Sequence, residues 1–192
     1  MRTLTAVATV LAFASLSAAA DGPIKLTVVS KKDKYVFDGA GKTPKEYKAD
    51  LESIAKKLEK GERVSPPKPL PVDLTLVLTN TSKEDVTVFV GGDTNVYNFE
   101  LTGGTGAVAM NNPVAFTADF RLPKAVTIPA GKTHEIPVKA FADGQRGFSR
   151  LVFWTGPGEY KLTAKYRLAK NADGEQGEEL KSEPAKIVVT EK

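Results

Sequence analysis

Residues 156–168, GPGEYKLTAKYRL, fix how the rest of the sequence is read. Tyr160, Leu162, Ala164, Tyr166 and Leu168 alternate with Lys161, Thr163, Lys165 and Arg167. A period of two belongs to a strand with one face on a core and the other in water. A Gly-Pro-Gly turn feeds this strand, and Trp154 stands just ahead of it. The strand must be covered by other apolar segments, and the neighbouring sequence supplies them.

Upstream, Ser149 to Trp154 is an apolar run leading into the turn, and His134 to Phe141 is a further candidate strand. Ala125 to Ile128 is short, Pro129-Ala130-Gly131 is a turn, and the spacing predicts that these two flanking segments pair. Downstream, Lys170 to Ser182 is rich in Gly, Glu and Lys and is expected to be a long polar loop. Lys186 to Thr190, KIVVT, closes the chain as a strand. Further back, Val72 to Thr79 alternates with Leu74, Leu76 and Leu78 on one face. Val86 to Val90, Val96 to Leu101 and Val114 to Phe120 follow, separated by glycine-rich breaks. Ile24 to Ser30 opens the series, and Lys34 to Phe37 is expected to continue or pair with it. Eight or nine short strands at this spacing predict a mainly β fold, an antiparallel sandwich with a closed barrel as its architectural rival.

One helix interrupts the strands, over about 43–61. Thr43 is the N-cap, Pro44 the first helical residue, and Glu46 completes a capping box. Tyr47, Leu51, Ile54 and Leu58 form one narrow apolar stripe, and Gly61 is the stop. A narrow stripe predicts a helix lying outside a sheet as an insertion, not a core element. Pro66, Pro67, Pro69 and Pro71 then make 64–71 a stiff, extended connector.

Residues 1–20 are expected to be a cleaved signal peptide, with Arg2 as the basic start, Leu4 to Leu16 as the apolar run and Ala18-Ala19-Ala20 before the cut. That leaves residues 21–192 as a single domain, secreted or periplasmic. No later segment is long and apolar enough to span a membrane. The chain has no cysteine, so disulfides, thiolate chemistry and a cysteine-linked lipid anchor are excluded. The formal net charge is +4, and loss of Arg2 lowers it by one. Residues 25–70 carry the basic surplus. Acids are interleaved and aromatics do not punctuate it, so it reads as a solvated lysine-rich face and not as a nucleic-acid platform.

Catalytic chemistry finds little to work with. His134 is the one histidine, and none of the serines sits in a nucleophile-elbow context. No enzyme activity and no cofactor is therefore expected. Asp93, Asn95, Asn98 and Glu100 offer oxygen ligands of the kind calcium takes, but without EF-hand spacing, and turn-shaping is the favoured reading. Trp154 and Tyr97 are the candidates for a sugar-stacking platform, with core packing as the competing reading. The glycines at 103–106 lack the lysine and helix of a phosphate loop.

Three segments resemble bacterial immunoglobulin-like domains: LTLVLTNTSKEDVTVFV (74–90) their early hairpin, VTIPAGKTHEIPV (126–138) their Pro-x-Gly turn, and PGEYKLTAKYRL (157–168) their penultimate strand. The resemblance implies an immunoglobulin-like sandwich with one inserted helix. It is also similar to the bacterial proteinase-inhibitor type, although the signal peptide and helix depart from that family and no reactive-site residue carries over. The expected function is a non-enzymatic module for protein binding or surface assembly. A carbohydrate-binding module and a proteinase inhibitor are the alternatives, with a protein or an envelope polysaccharide as partner.

Overall fold

The computed structural model describes residues 22–113, 119–145 and 147–192. In chain order come β1 (Ile24–Ser30), β2 (Tyr35–Phe37), α1 (Pro44–Glu59), β3 (Pro71–Asn80) and β4 (Val86–Val90). They are followed by β5 (Tyr97–Gly103), β6 (Ala107–Pro113), β7 (Lys124–Ile128), β8 (Thr133–Ala140) and β9 (Ala142–Gln145). The last four are β10 (Phe148–Trp154), β11 (Gly158–Ala169), β12 (Gln176–Lys181) and β13 (Ala185–Glu191). The fold is mainly β, with several antiparallel sheets that do not close into a barrel. The leader reading lies outside the described residues, as does most of the Val114–Phe120 strand. Its last two residues, Asp119 and Phe120, are not in a strand.

β11 is the hub, as its alternation demands. β13 pairs with it at Gly158–Leu162 and β12 at Lys165–Ala169. On the opposite edge β5 pairs over Tyr160–Tyr166, and β4 meets it at Ala169. The five alternating apolar residues from Tyr160 to Leu168 are all buried, and Leu162 and Ala164 are fully so. A second sheet has the order β1–β3–β8, and Leu74, Leu76 and Leu78 of β3 are each 0% exposed. Leu26, Leu76, Val138, Val88, Leu162 and Ile187 share one core, so the inner rows of both sheets fill the same space. At about 25 cal/mol per Å² of apolar surface, this burial is the main term holding the fold, since no disulfide contributes.

Short polar devices fix the turns between the sheets. Asn80 is completely buried at the end of β3. Its amide donates to the carbonyls of Glu84 (2.7 Å) and Ile128 (2.8 Å), and its oxygen accepts from Ser82. One side chain thus closes the β3–β4 turn and ties it to the end of β7. Tyr160 is locked at the start of β11: its hydroxyl donates to the Gly156 carbonyl at 2.7 Å. Gly104, at φ 50°, lies against the Tyr160 ring, where a Cβ would overlap the ring atoms.

The third sheet, β6–β10–β9, carries α1. The helix starts as read, with the Thr43–Glu46 capping box formed in full. It lies on the outside of a sheet, as expected, but it is a core element, which was not. Leu51 and Ala55 are buried with Val108, Met110, Leu151 and Phe153 in a second core. α1 is the lid of that core, because β6 and β10 present an apolar face that water would otherwise meet.

Three pairings also differ. β7 and β8 do not pair with each other: β7 joins β4 and β8 joins β3. The Pro129-Ala130-Gly131 turn moves the chain between sheets instead of closing a hairpin. The 170–182 stretch is not all loop, since Gln176–Lys181 forms β12 on the edge of β11. Its outward Glu179 reaches two basic residues of β11, Lys165 (3.8 Å) and Arg167 (2.9 Å), which a composition reading sees only as polarity. β2 runs parallel to β13 and not with β1.

Candidate functional site

The oxygen-rich stretch 93–100 is the first candidate, and the structure parts its four residues. The Asp93 carboxylate accepts from Arg121 Nε at 2.7 Å. The Asn95 side chain is spent on backbone: it accepts from Gly92 N–H and donates to the carbonyls of Phe89 and Arg167. Asn98 and Glu100 lie further on, on the outward row of β5. The four residues are therefore not gathered as one ligand set. Asp93 and Asn95 shape the β4–β5 turn, as side chains of this type commonly do.

Asn98 belongs to a different arrangement. Arg150 Nη1 donates to Asn98 Oδ1 (2.6 Å), the Phe99 carbonyl (2.8 Å) and Asp143 Oδ2 (3.1 Å). Phe99 N–H donates to the same Asp143 oxygen at 2.6 Å. Three oxygens that would suit a cation are therefore already gathered round a guanidinium. The Asp143 side chain has no exposed surface, and its Oδ1 has no hydrogen-bond partner among the described residues. Burial pushes its carboxyl up to about 6, against the opposing pull of Phe99 N–H and Arg150. This network pins β9 and β10 to β5. Sequence reading passed over both charged members. The available signal was an arginine set immediately before the wholly apolar run Leu151–Trp154, where a charge needs a partner.

Trp154 is 2% exposed and packs between Tyr35 (ring centroids 5.5 Å) and Phe141 (5.6 Å). It is a core residue and has no face to offer a sugar, because β10 is enclosed by the first core on that side. Tyr97 is different. It is half-buried, one side of its ring lies 5.4 Å from Phe99, and it lines a cleft of about 370 Å³.

That cleft lies where the inner rows of the two larger sheets reach one end. β8 contributes His134 and Ile136, the partly buried continuation of the row that holds buried Val138. β5 contributes Tyr97, and β11 contributes Tyr166. Arg121 stands at its polar side, and Glu135 borders it with its carboxylate turned outward to Lys31 (3.5 Å). Burial raises the Tyr97 phenol above its ordinary value, Asp143 adds to the rise, and Arg121 opposes it. Burial also pushes Tyr166 up to about 12, so both phenols stay protonated at neutral pH. The structure thus brings together two residues singled out in the sequence, Tyr97 and His134, which lie far apart in the chain. Only the crossing of sheets could do this, and no local motif announces it.

No protein-family model matches the chain, and no curated protein and no solved structure was found to be similar to it. Among the described residues no group of three or more His, Asp or Glu side chains converges as a metal site would require, and no helix is long and apolar enough to cross a membrane.

Proposed function

We propose that this chain is an exported, non-enzymatic immunoglobulin-like module that binds an extended segment of another protein. The connectivity supports the fold part of this reading. The β1–β3–β8 and β2–β13–β11–β4–β7 orders correspond to the two sheets of an immunoglobulin-like Greek key. The Tyr160 hydroxyl bonded to the Gly156 carbonyl four residues back is the corner such folds place at the start of their penultimate strand.

The binding part is carried by one observation: the outer edge of β7 (Lys124–Ile128). No described strand pairs with that edge, while Ala125 and Thr127 are exposed and uncharged. Two other edges are protected. Pro137 lies within β8, where a proline fits only with its missing N–H turned away from the partner strand. β12 carries Glu178, Glu179 and Lys181. β7 has one lysine at its start, and the exposed Leu122 (56%) lies two residues before it. An uncharged edge beside an exposed leucine suits addition of an apolar, β-branched strand, whose backbone would complete the ladder.

The test is capture of exported proteins of the host by the mature chain, wild type against Ala125→Lys/Thr127→Lys and against His134→Ala. A protein partner retained by wild type and His134→Ala but lost with the lysines is the expected result. Retention by the lysine variant would overturn the edge as the recognition surface.

A further inference from the structure

We infer that the cleft between β8, β5 and β11 is a second binding site, for a neutral hydroxylated ring of the kind a hexopyranose presents. It is separate from the β7 edge and needs no reaction.

The apolar side of the cleft is made by Ile136 and the ring of Tyr97. Its polar side holds the Tyr97 hydroxyl, the His134 imidazole and Arg121, while Glu135 and Pro137 border it only through β8, with their side chains on the opposite row from His134 and Ile136. Among the described residues, neither the Tyr97 hydroxyl nor the His134 ring makes a hydrogen bond to another side chain or to backbone. Both groups can donate and accept. Half-buried groups of this kind usually have a partner. A core position closing the row of Ile136 and Val138 would be filled most simply by Leu or Val. Histidine there keeps the end of the row polar.

The ligand class follows from matching these walls. A pyranose has an apolar C–H face that lies against an aromatic ring and a rim of hydroxyls that each donate and accept. Tyr97 supplies the ring, while Tyr97 Oη and the imidazole supply two-way partners. Arg121 is a donor-only group at the mouth. Asp93 already answers its charge at 2.7 Å, so the pair favours a neutral molecule over an ion and keeps Arg121 in place without a ligand. The volume, about 370 Å³, lies at the small end of ligand pockets, which run from about 300 to 1,000 Å³. One ring fits this scale better than an oligosaccharide laid along a groove.

His134 makes the test direct, because a chain with one histidine gives one pair of imidazole C–H signals in a proton spectrum. The mature protein, made without a histidine tag, is titrated with glucose, galactose, mannose and N-acetylglucosamine, and with sorbitol as the acyclic control. At least one pyranose should move the His134 signals saturably, with a dissociation constant on the order of 1 mM, and sorbitol should not. Tyr97→Ala should abolish the shift. Tyr97→Phe, which keeps the ring and the fold, should weaken binding several-fold without abolishing it. The unchanged emission of buried Trp154 certifies that each variant is folded. The inference is overturned by the absence of any saturable shift, by an equal response to sorbitol, or by a Tyr97→Ala chain that binds as wild type does. The Ala125→Lys/Thr127→Lys chain should bind the sugar normally, so failure of the edge reading and failure of this one are told apart.

Discussion

Asp143 shows how one residue links burial to pH. Its folded-state carboxyl is raised from 3.8 to about 6, so the fold prefers the protonated form. Stability from this group is fully present below its unfolded value and is lost as pH rises through about 6. The difference corresponds to about 3 kcal/mol at about 1.4 kcal/mol per unit. The bonds from Phe99 N–H and Arg150 both go to Asp143 Oδ2, while Oδ1 has no partner among the described residues. Asparagine can therefore place its carbonyl where Oδ2 lies and keep the Phe99 and Arg150 contacts. Asp143→Asn should gain stability relative to wild type between about pH 4 and about pH 7, by up to about 3 kcal/mol. Urea midpoints of the two proteins across that range measure this. A constant difference would mean that the carboxylate stays ionised throughout. Replacing Arg150 instead should be damaging at neutral pH, because it strands a buried charge, at a cost of about 3–5 kcal/mol.

At the scale of elements, the helix is the clearest case of a structure legible in sequence and misread in role. The Thr43–Glu46 box and the Leu51 stripe gave its limits, since capping and periodicity are local. What the stripe faces is not local. Leu51 is 1% exposed against residues from β6 and β10, some sixty to a hundred positions away in the chain. Leu51→Ala should therefore cost about 2–5 kcal/mol, the range for a buried leucine, and not the fraction expected of a decorative helix. Chemical denaturation followed by far-ultraviolet circular dichroism reports it, and a loss under about 1 kcal/mol would return α1 to the status of an insertion. The same divide runs through the strands. β11 and β3 were readable because one buried face imposes alternation, as at Leu74, Leu76 and Leu78. The partner of β7 was not, because the Pro129–Gly131 turn is compatible with either a hairpin or a change of sheet. The cleft is illegible for the same reason: Tyr97 and His134 meet only after β5 and β8 have joined different sheets.

At the scale of the whole molecule, β10 is the wall between two cores. Val152 and Trp154 lie in the core between the larger sheets, while Leu151 and Phe153 lie in the core under α1. All four are 3% exposed or less. Alternation is invisible in the sequence Leu-Val-Phe-Trp because both faces are apolar, the signature of a strand enclosed on both sides. Since consecutive residues of one strand serve both cores, neither can loosen without moving the backbone that the other packs on. The two cores should therefore unfold together. Two intrinsic probes separate them: Trp154 emission reports the first, and the helical signal of α1 reports the second. In urea their transitions should coincide, and Phe153→Ala, worth about 3–5 kcal/mol, should move both midpoints by the same amount although it deletes only a second-core side chain. Divergent midpoints would show that β6, β9, β10 and α1 form a unit able to detach. In that case the Asp143–Arg150–Asn98 network, which pins that unit to β5, would be holding two separable bodies together.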